Sequence, residues 1–169
     1  NIYITKNQFT SVSTKQFIDA VNESLDDPAK DRTPMDMKWF FDEWIYSAGQ
    51  PEYKVSYRFD ENSKELILNT EQVQRMDTSS VFKTPVPIKI VSKSGTIFNE
   101  IMTMDKNPFT VSYKLDDEPL YVLFNRGNAV LCKLYFDKPK KDWLNQWHYS
   151  DDAIDKITAL YGMKDLVDD

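Results

Sequence analysis

Histidine and cysteine are nearly absent from this chain: its 169 residues hold one of each, His148 and Cys132. A single cysteine forbids an intrachain disulfide and a multi-cysteine zinc site, and a single histidine forbids any arrangement that needs two. Most metal-dependent hydrolysis is therefore hard to place within these residues. A basic excess is also lacking. Lys and Arg total 21 against 27 Asp and Glu, a formal net charge of −6, which repels phosphate backbones and argues against nucleic acid as a partner. No apolar run approaches the roughly 20 residues needed to cross a bilayer. The opening stretch, Asn1 to Thr10, lacks the basic-then-apolar order of a signal peptide. The expectation is a soluble chain without a membrane partner. The missing initiator Met points to a processed or excised portion of something longer, and a lone cysteine suits either redox compartment.

What is present is enough for a core. Hydrophobic residues make up 41% and aromatic residues 14% of the chain, with ten Phe, nine Tyr and four Trp. A chain of this length holds one domain, or one domain with appended elements, and buries about 68–70% of the surface its unfolded form exposes. Disorder is not expected.

The hydrophobic period changes twice and divides the chain into three segments. In the first, Ser13 stands three residues before Gln16, the spacing of a capping box, and Phe17, Ile18, Val21 and Leu25 follow at helical intervals. A helix is expected over about 14–26, broken by Asp26, Asp27 and Pro28. A second helix is expected with Thr33 as N-cap, Pro34 at its first position, Asp36 at the positive end of its dipole and Gly49 at C′. Its apolar stripe, which runs through Met37, Trp39, Phe40, Phe41, Trp44 and Ile45, is wide enough to need cover on more than one side.

From Pro51 the period becomes two. Tyr53, Val55, Tyr57 and Phe59 alternate with Lys54, Ser56 and Arg58, as in a strand with one face buried. Further β-rich runs are expected at about 65–73, 85–91, 97–104, 109–115, 120–125 and 129–136, with starts about 9–12 residues apart and turn residues between them. Seven short strands with no helical crossovers predict a mainly β fold: an immunoglobulin-like antiparallel β-sandwich with flanking α-helices at both ends. Pro85 and Pro87 each lack a ladder donor, so their strand should begin at an edge. After Asp137 comes a short charged link, Lys138-Pro139-Lys140-Lys141. The helical period then returns, with Trp143 and Trp147 four apart, Ser150 placed to cap a last helix and Gly162 placed to stop it. The expected organisation is a helical segment over 1–50, a sandwich over 51–137 and a linker with helices over 138–169.

The order of features resembles one family. Trp39-Phe40-Phe41-Asp42-Glu43-Trp44, then Gly49-Gln50-Pro51 and a strand starting at Tyr53, is similar to the junction in aminopeptidase N-type (gluzincin) zinc metallopeptidases. There a "wFFxxWxxxxGxP" helix closes the catalytic domain and the sandwich follows directly. Val81-Phe82-Lys83-Thr84-Pro85-Val86-Pro87-Ile88 resembles the family's "vFxxPvpI" strand entry, and Glu118-Pro119-Leu120-Tyr121-Val122-Leu123-Phe124-Asn125 its "kPlyVlfN" strand. The likeness runs from about residue 14 to 147. It implies an internal piece of such an enzyme: the tail of the catalytic domain, the whole sandwich and the start of the C-terminal helical domain. The family's H-E-x-x-H helix, its further zinc-binding glutamate and its G-x-M-E-N segment have no match in this chain. Zinc and peptide substrates are thus expected of the parent, and no catalytic, cofactor-binding or metal-binding residue within these 169.

The chemistry-bearing residues all have plainer readings. His148 lacks co-ligands in sequence and reads as a surface or capping residue. Cys132 shares a strand face with Val130, Leu134 and Phe136 and reads as a small core residue, with no activating base for a nucleophile. Asp116, Asp117 and Glu118 could hold calcium but lack EF-hand spacing and read as a solvated turn. Trp39, Phe40, Phe41 and Trp44 read as a packing face rather than a binding groove. Trp143 and Trp147 read as packing against the sandwich base rather than as a sugar-stacking pair.

The resemblance implies a non-catalytic spacer between a catalytic and a helical domain. A free-standing immunoglobulin-like binding module for a carbohydrate or protein ligand is the alternative, and an inactive relative of the peptidase used as a scaffold is a third reading. The wide stripe at 37–45 also suggests self-association of the isolated chain.

Overall fold

The computed structural model describes residues 2–26, 37–75 and 81–164. The chain divides into two compact units, Asn1–Ala48 and Gly49–Asp169. Among the described residues no helix is long and apolar enough to cross a membrane.

The first unit holds α1 (Ile2–Asn7), α2 (Thr14–Leu25) and α3 (Lys38–Trp44). The helix α1 was not foreseen from the sequence. The capping box of α2 forms as its spacing predicts: Gln16 N–H donates to Ser13 Oγ at 3.4 Å and Ser13 N–H to Gln16 Oε1 at 2.8 Å. Two of the four orphan donors at the helix start are thereby satisfied. α3 ends at Trp44, short of Gly49, so Gly49 with its φ of 92° is not the helix's C′ residue. Thr33, Pro34 and Asp36, expected at its start, and Asp27 and Pro28, expected to break α2, lie outside the described residues. Ala20 and Phe41 are the buried hydrophobics among the described residues here. An edge-to-face series runs from Tyr3 to Phe17 (5.3 Å between ring centres), Phe17 to Phe41 (6.0 Å) and Phe41 to Phe40 (5.5 Å).

The second unit is the sandwich with its trailing helices. Its strands are β1 (Glu52–Asp60), β2 (Glu65–Gln72), β3 (Thr84–Ser92), β4 (Ile97–Met104), β5 (Phe109–Lys114), β6 (Pro119–Phe124) and β7 (Lys133–Asp137). They form a four-stranded sheet in the order β5-β2-β1-β7 and a three-stranded sheet in the order β4-β3-β6. Alternate residues of both sheets meet in one core: Tyr53, Val55, Leu66 and Leu68 from the first, Val86, Ile88, Ile90, Met104 and Val122 from the second. Each such side chain contributes roughly 1.5–3 kcal/mol by leaving water. The mainly β sandwich of seven strands with flanking helices is thus the observed fold. One pair departs from the antiparallel rule. β7 lies parallel to β1, with Val55 opposite Phe136, whereas the immunoglobulin arrangement places its last strand in the other sheet, with the third and sixth.

Pro85 and Pro87 behave as expected in an unexpected place. β3 is the centre strand of its sheet, but its pairing with β6 begins only at Ile88. Over residues 84–87 β4 is its one partner, so the strand does begin at an edge. β7 starts later than its apolar pattern suggests. Arg126–Asn128 make a 3-10 turn, Asn125 and Asn128 have left-handed φ of 58° and 51°, and the Asn125 side chain grips both backbone groups of Val130 at 2.8 and 2.9 Å. That local closure removes residues 125–130 from the ladder.

Two other joints use the same device. Gln72 donates to Phe82 O at 2.8 Å and accepts from Phe82 N–H at 2.9 Å, while Asn107 accepts from Gln72 N–H at 2.8 Å and donates to Gln72 O at 2.9 Å. Phe82 is 1% exposed, so water cannot replace these bonds. Gln72→Ala takes the 2.9 Å acceptor from the buried Phe82 N–H, at about 1–3 kcal/mol, while Phe82 O keeps Thr84 Oγ1 at 3.3 Å. A urea midpoint lowered with unchanged slope is the expected outcome, and an unchanged midpoint would contradict it.

Candidate functional site

Side chains able to do chemistry converge most closely where the sandwich meets α4 (Lys140–Tyr149) and α5 (Ala153–Met163). Buried polar residues recur there at every fourth position: Lys138, Asp142, Gln146 and Ser150. Lys138, the first residue of the charged link, is enclosed. Its Nζ donates to Val122 O at 3.0 Å and to Gln146 Oε1, and it lies 3.9 Å from the Trp143 ring centre and 5.1 Å from that of Phe136. Burial disfavours the ammonium form and pushes the Lys138 pKa down to about 7, against the opposing pull of Asp142 and Asp155. Gln146 donates onward to Asp155 O at 2.6 Å, and Asp155 Oδ1 accepts from Gly127 N–H at 3.2 Å. On the other side the Tyr57 hydroxyl bonds Asp142. Burial holds both of these acids above their ordinary values, and the neighbouring carboxylate raises Tyr57 further.

A cleft of about 350 Å³ shares Phe136 and Trp143 with this cluster and is also lined by Cys132, Tyr135, Thr158 and Tyr161. None of the described residues that line it is a carboxylate, imidazole or amine. Cys132 is half-buried and packs against the core as expected; burial raises its thiol pKa, partly offset by the Asn125 amide that donates to Sγ at 3.3 Å. Among the described residues the cleft thus places no carboxylate or imidazole beside its one sulfur to activate it.

The other candidates are scattered. His148 is exposed, edge-on to Tyr149 at 4.6 Å. Glu118 is bonded by Lys93 and has Lys141 at 3.9 Å, while Asp117 accepts from Ser94 Oγ at 3.2 Å. The turn acids thus answer protein donors rather than converge on a cation. Among the described residues no group of three or more His, Cys, Asp or Glu could hold a metal ion, so a catalytic zinc does not fit the described side chains. Trp143 is buried against Phe136 at 5.9 Å, but Trp147 is 41% exposed, with Lys156 at 6.0 Å, and does not pack on the sandwich base. Ser150 does not cap α5. That role falls to Asp152, which accepts from Ile154 and Asp155 N–H. Gly162 is not a stop either: it lies within α5, where a Cβ would come within 2.6 Å of the Trp143 ring.

With this geometry in view, no protein-family model matches the chain, and no curated protein sequence does. Among solved structures, the crystal structure of Legionella pneumophila aminopeptidase A in complex with aspartic acid is similar, with a TM-score of 0.72 and 14% identity over 93% of this chain and 17% of that one. The fold is similar to that of part of this aminopeptidase. The chain spans only 17% of that aminopeptidase's length, and at 14% identity the likeness carries architecture alone.

Within this fold the site is a buried polar joint. The sequence signal for it is the four-residue spacing of Lys138, Asp142, Gln146 and Ser150, on the same segment as the two tryptophans.

Two outcomes follow from the joint. A lysine whose folded pKa lies below its unfolded value near 10.5 makes the unfolded state bind more protons between about pH 7 and 10, so this group's contribution makes stability rise with pH across that window. Lys138→Met should flatten that rise when unfolding free energies of the two proteins are subtracted at each pH; identical pH profiles would contradict it. Gly162→Ala should destabilise by about 1–3 kcal/mol through overpacking, despite alanine's helix preference of about 1 kcal/mol, as measured by urea denaturation followed through tryptophan fluorescence.

Proposed function

We propose that this chain is a non-catalytic structural region of an aminopeptidase N-like zinc metallopeptidase, which sets the spacing between its catalytic domain and its C-terminal helical domain. The observation that carries the reading is the buried joint. Lys138, Asp142 and Gln146 tie α4 to β1, to β6 and to α5, so the helices leave the sandwich in a fixed direction rather than on a loose tether. The sequence pattern from Trp39 to Pro51 supports the N-type assignment, and the likeness to an aminopeptidase structure supports the architecture.

The outward faces of both helical ends support a role between other domains. Leu144, Trp147, Ile154, Ile157, Leu160 and Tyr161 on α4 and α5 are each at least two-fifths exposed, and in the first unit Phe9 and Ile4 are exposed. Such apolar surface is usual on elements cut from a larger core. In this reading the zinc-binding residues belong to the parent's catalytic domain, and peptides are the parent's substrates. The alternative, a free-standing binding module, would need exposed aromatics on a strand face or loop. Of the strand tyrosines, Tyr53, Tyr113 and Tyr121 are buried, Tyr57 is half-buried, and Tyr135 alone is exposed.

Metal analysis of the purified chain, together with an assay on aminoacyl-anilide substrates, tests the proposal. Substoichiometric zinc and no turnover are expected. One zinc per chain accompanied by turnover would overturn it.

A further inference from the structure

Four strand edges bound the two sheets, and three of them are protected in recognisable ways. β6 is covered by α4, with Asn145 donating to Leu120 O at 2.9 Å and Lys138 to Val122 O at 3.0 Å. β5 is six residues long and ends in Lys114. β7 is five residues long and begins with Lys133. Short length and lysine are the usual guards against edge-to-edge pairing. β4 has neither. It is eight residues long, Ile97-Phe98-Asn99-Glu100-Ile101-Met102-Thr103-Met104, with no lysine, arginine or proline. Among the described residues no strand pairs with its outer side. Its outward side chains are Ile97, Asn99, Ile101 and Thr103; Ile97 is 53% and Ile101 71% exposed.

We propose that the outer edge of β4 is a self-association surface, on which β4 of a second copy of this chain pairs antiparallel about a two-fold axis at Ile101. The three-stranded sheets of the two copies then join edge to edge into one continuous sheet. This interface goes beyond the spacer role and does not depend on it.

The strand's own sequence selects the partner and the register. A two-fold axis perpendicular to the sheet keeps each residue on its original face, so only registers that pair odd positions with odd and even with even are allowed. Centring on Ile101 sets Ile101 against Ile101 of the second copy, Asn99 against Thr103 and Glu100 against Met102. An apolar pair and a hydrogen-bonding polar pair then face each other, and no carboxylate opposes another. Centring on Glu100 instead would oppose two glutamates directly, which is destabilising. Asn99 keeps its present contact, in which Arg126 Nη1 donates to Asn99 Oδ1 at 3.4 Å. The backbone supplies the remaining bonds whichever residues of β4 point outward, because the pair at the axis is then either the hydrogen-bonded or the non-hydrogen-bonded kind.

Sedimentation velocity of the 169-residue chain over a wide concentration range should show a reversible monomer–dimer equilibrium. Ile101→Lys sets two like charges face to face and should weaken the dimer by at least about tenfold. Disulfide trapping in a Cys132→Ser background reads the register without relying on that variant's fold. Opposed residues in an antiparallel pair lie about 4.5–5.5 Å apart at Cα, within disulfide range. Ile101→Cys should therefore crosslink to a dimer, whereas Asn99→Cys, which faces Thr103, should not. A chain that stays monomeric throughout overturns the proposal. So does a dimer that survives Ile101→Lys, as one formed through residues 37–45 would, or equal crosslinking of the two cysteine variants.

Discussion

The second unit depends on one constraint: two sheets must each turn an apolar face inward, and neither can bury its face alone. Every strand contributes to that shared layer. Tyr53 and Val55 reach it from the four-stranded sheet, and Ile88, Ile90 and Val122 reach it from the three-stranded one. A slip of one residue in any ladder would send a strand's apolar set to solvent, so the core fixes the register, and the register fixes where the strand ends lie. The placement of β7 beside β1, the late start of pairing between β3 and β6, and the seat of α4 along β6 are all positions within that frame.

The trailing helices are attached by a different kind of contact. Trp143 supplies an apolar anchor, but the alignment comes from directional bonds. Lys138 joins the end of β7 to β6 and α4, Gln146 carries the link to α5, and Asp155 returns it to Gly127. Buried polar groups of this sort add little net stability and are costly if left unpaired. Their contribution is geometric, because a greasy surface alone would tolerate sliding where these bonds do not. In the proposed spacer role that property matters more than extra stability.

Much of this architecture can be read from the chain by period alone. The capping box at Ser13, the alternation from Tyr53 to Phe59 and the run at 97–104 each stand in the structure close to where their patterns place them, since local geometry and burial agree there. The differences arise where a side chain acts at a distance. Asn125 binds Val130 and shortens β7. Asp152 is a better cap than Ser150 because two backbone donors face it. Gly162 is required by a tryptophan nineteen positions away in sequence, a contact that no local pattern encodes. The buried joint was hidden for a related reason: Lys138 stands among other lysines, and only its fourfold spacing from Asp142 and Gln146 separates a buried amine from a solvated one.

The three amide joints add a further consequence. Gln72, Asn107 and Asn125 each use one oxygen and one nitrogen to hold both backbone groups of another residue, as a neighbouring strand would. Hydrolysis of such an amide to the acid exchanges the donor for a second acceptor and turns a carboxylate toward a carbonyl oxygen. The change is almost without mass and leaves the apolar core untouched. Exchange of one donor for an acceptor would therefore open a joint that no loss of packing had touched.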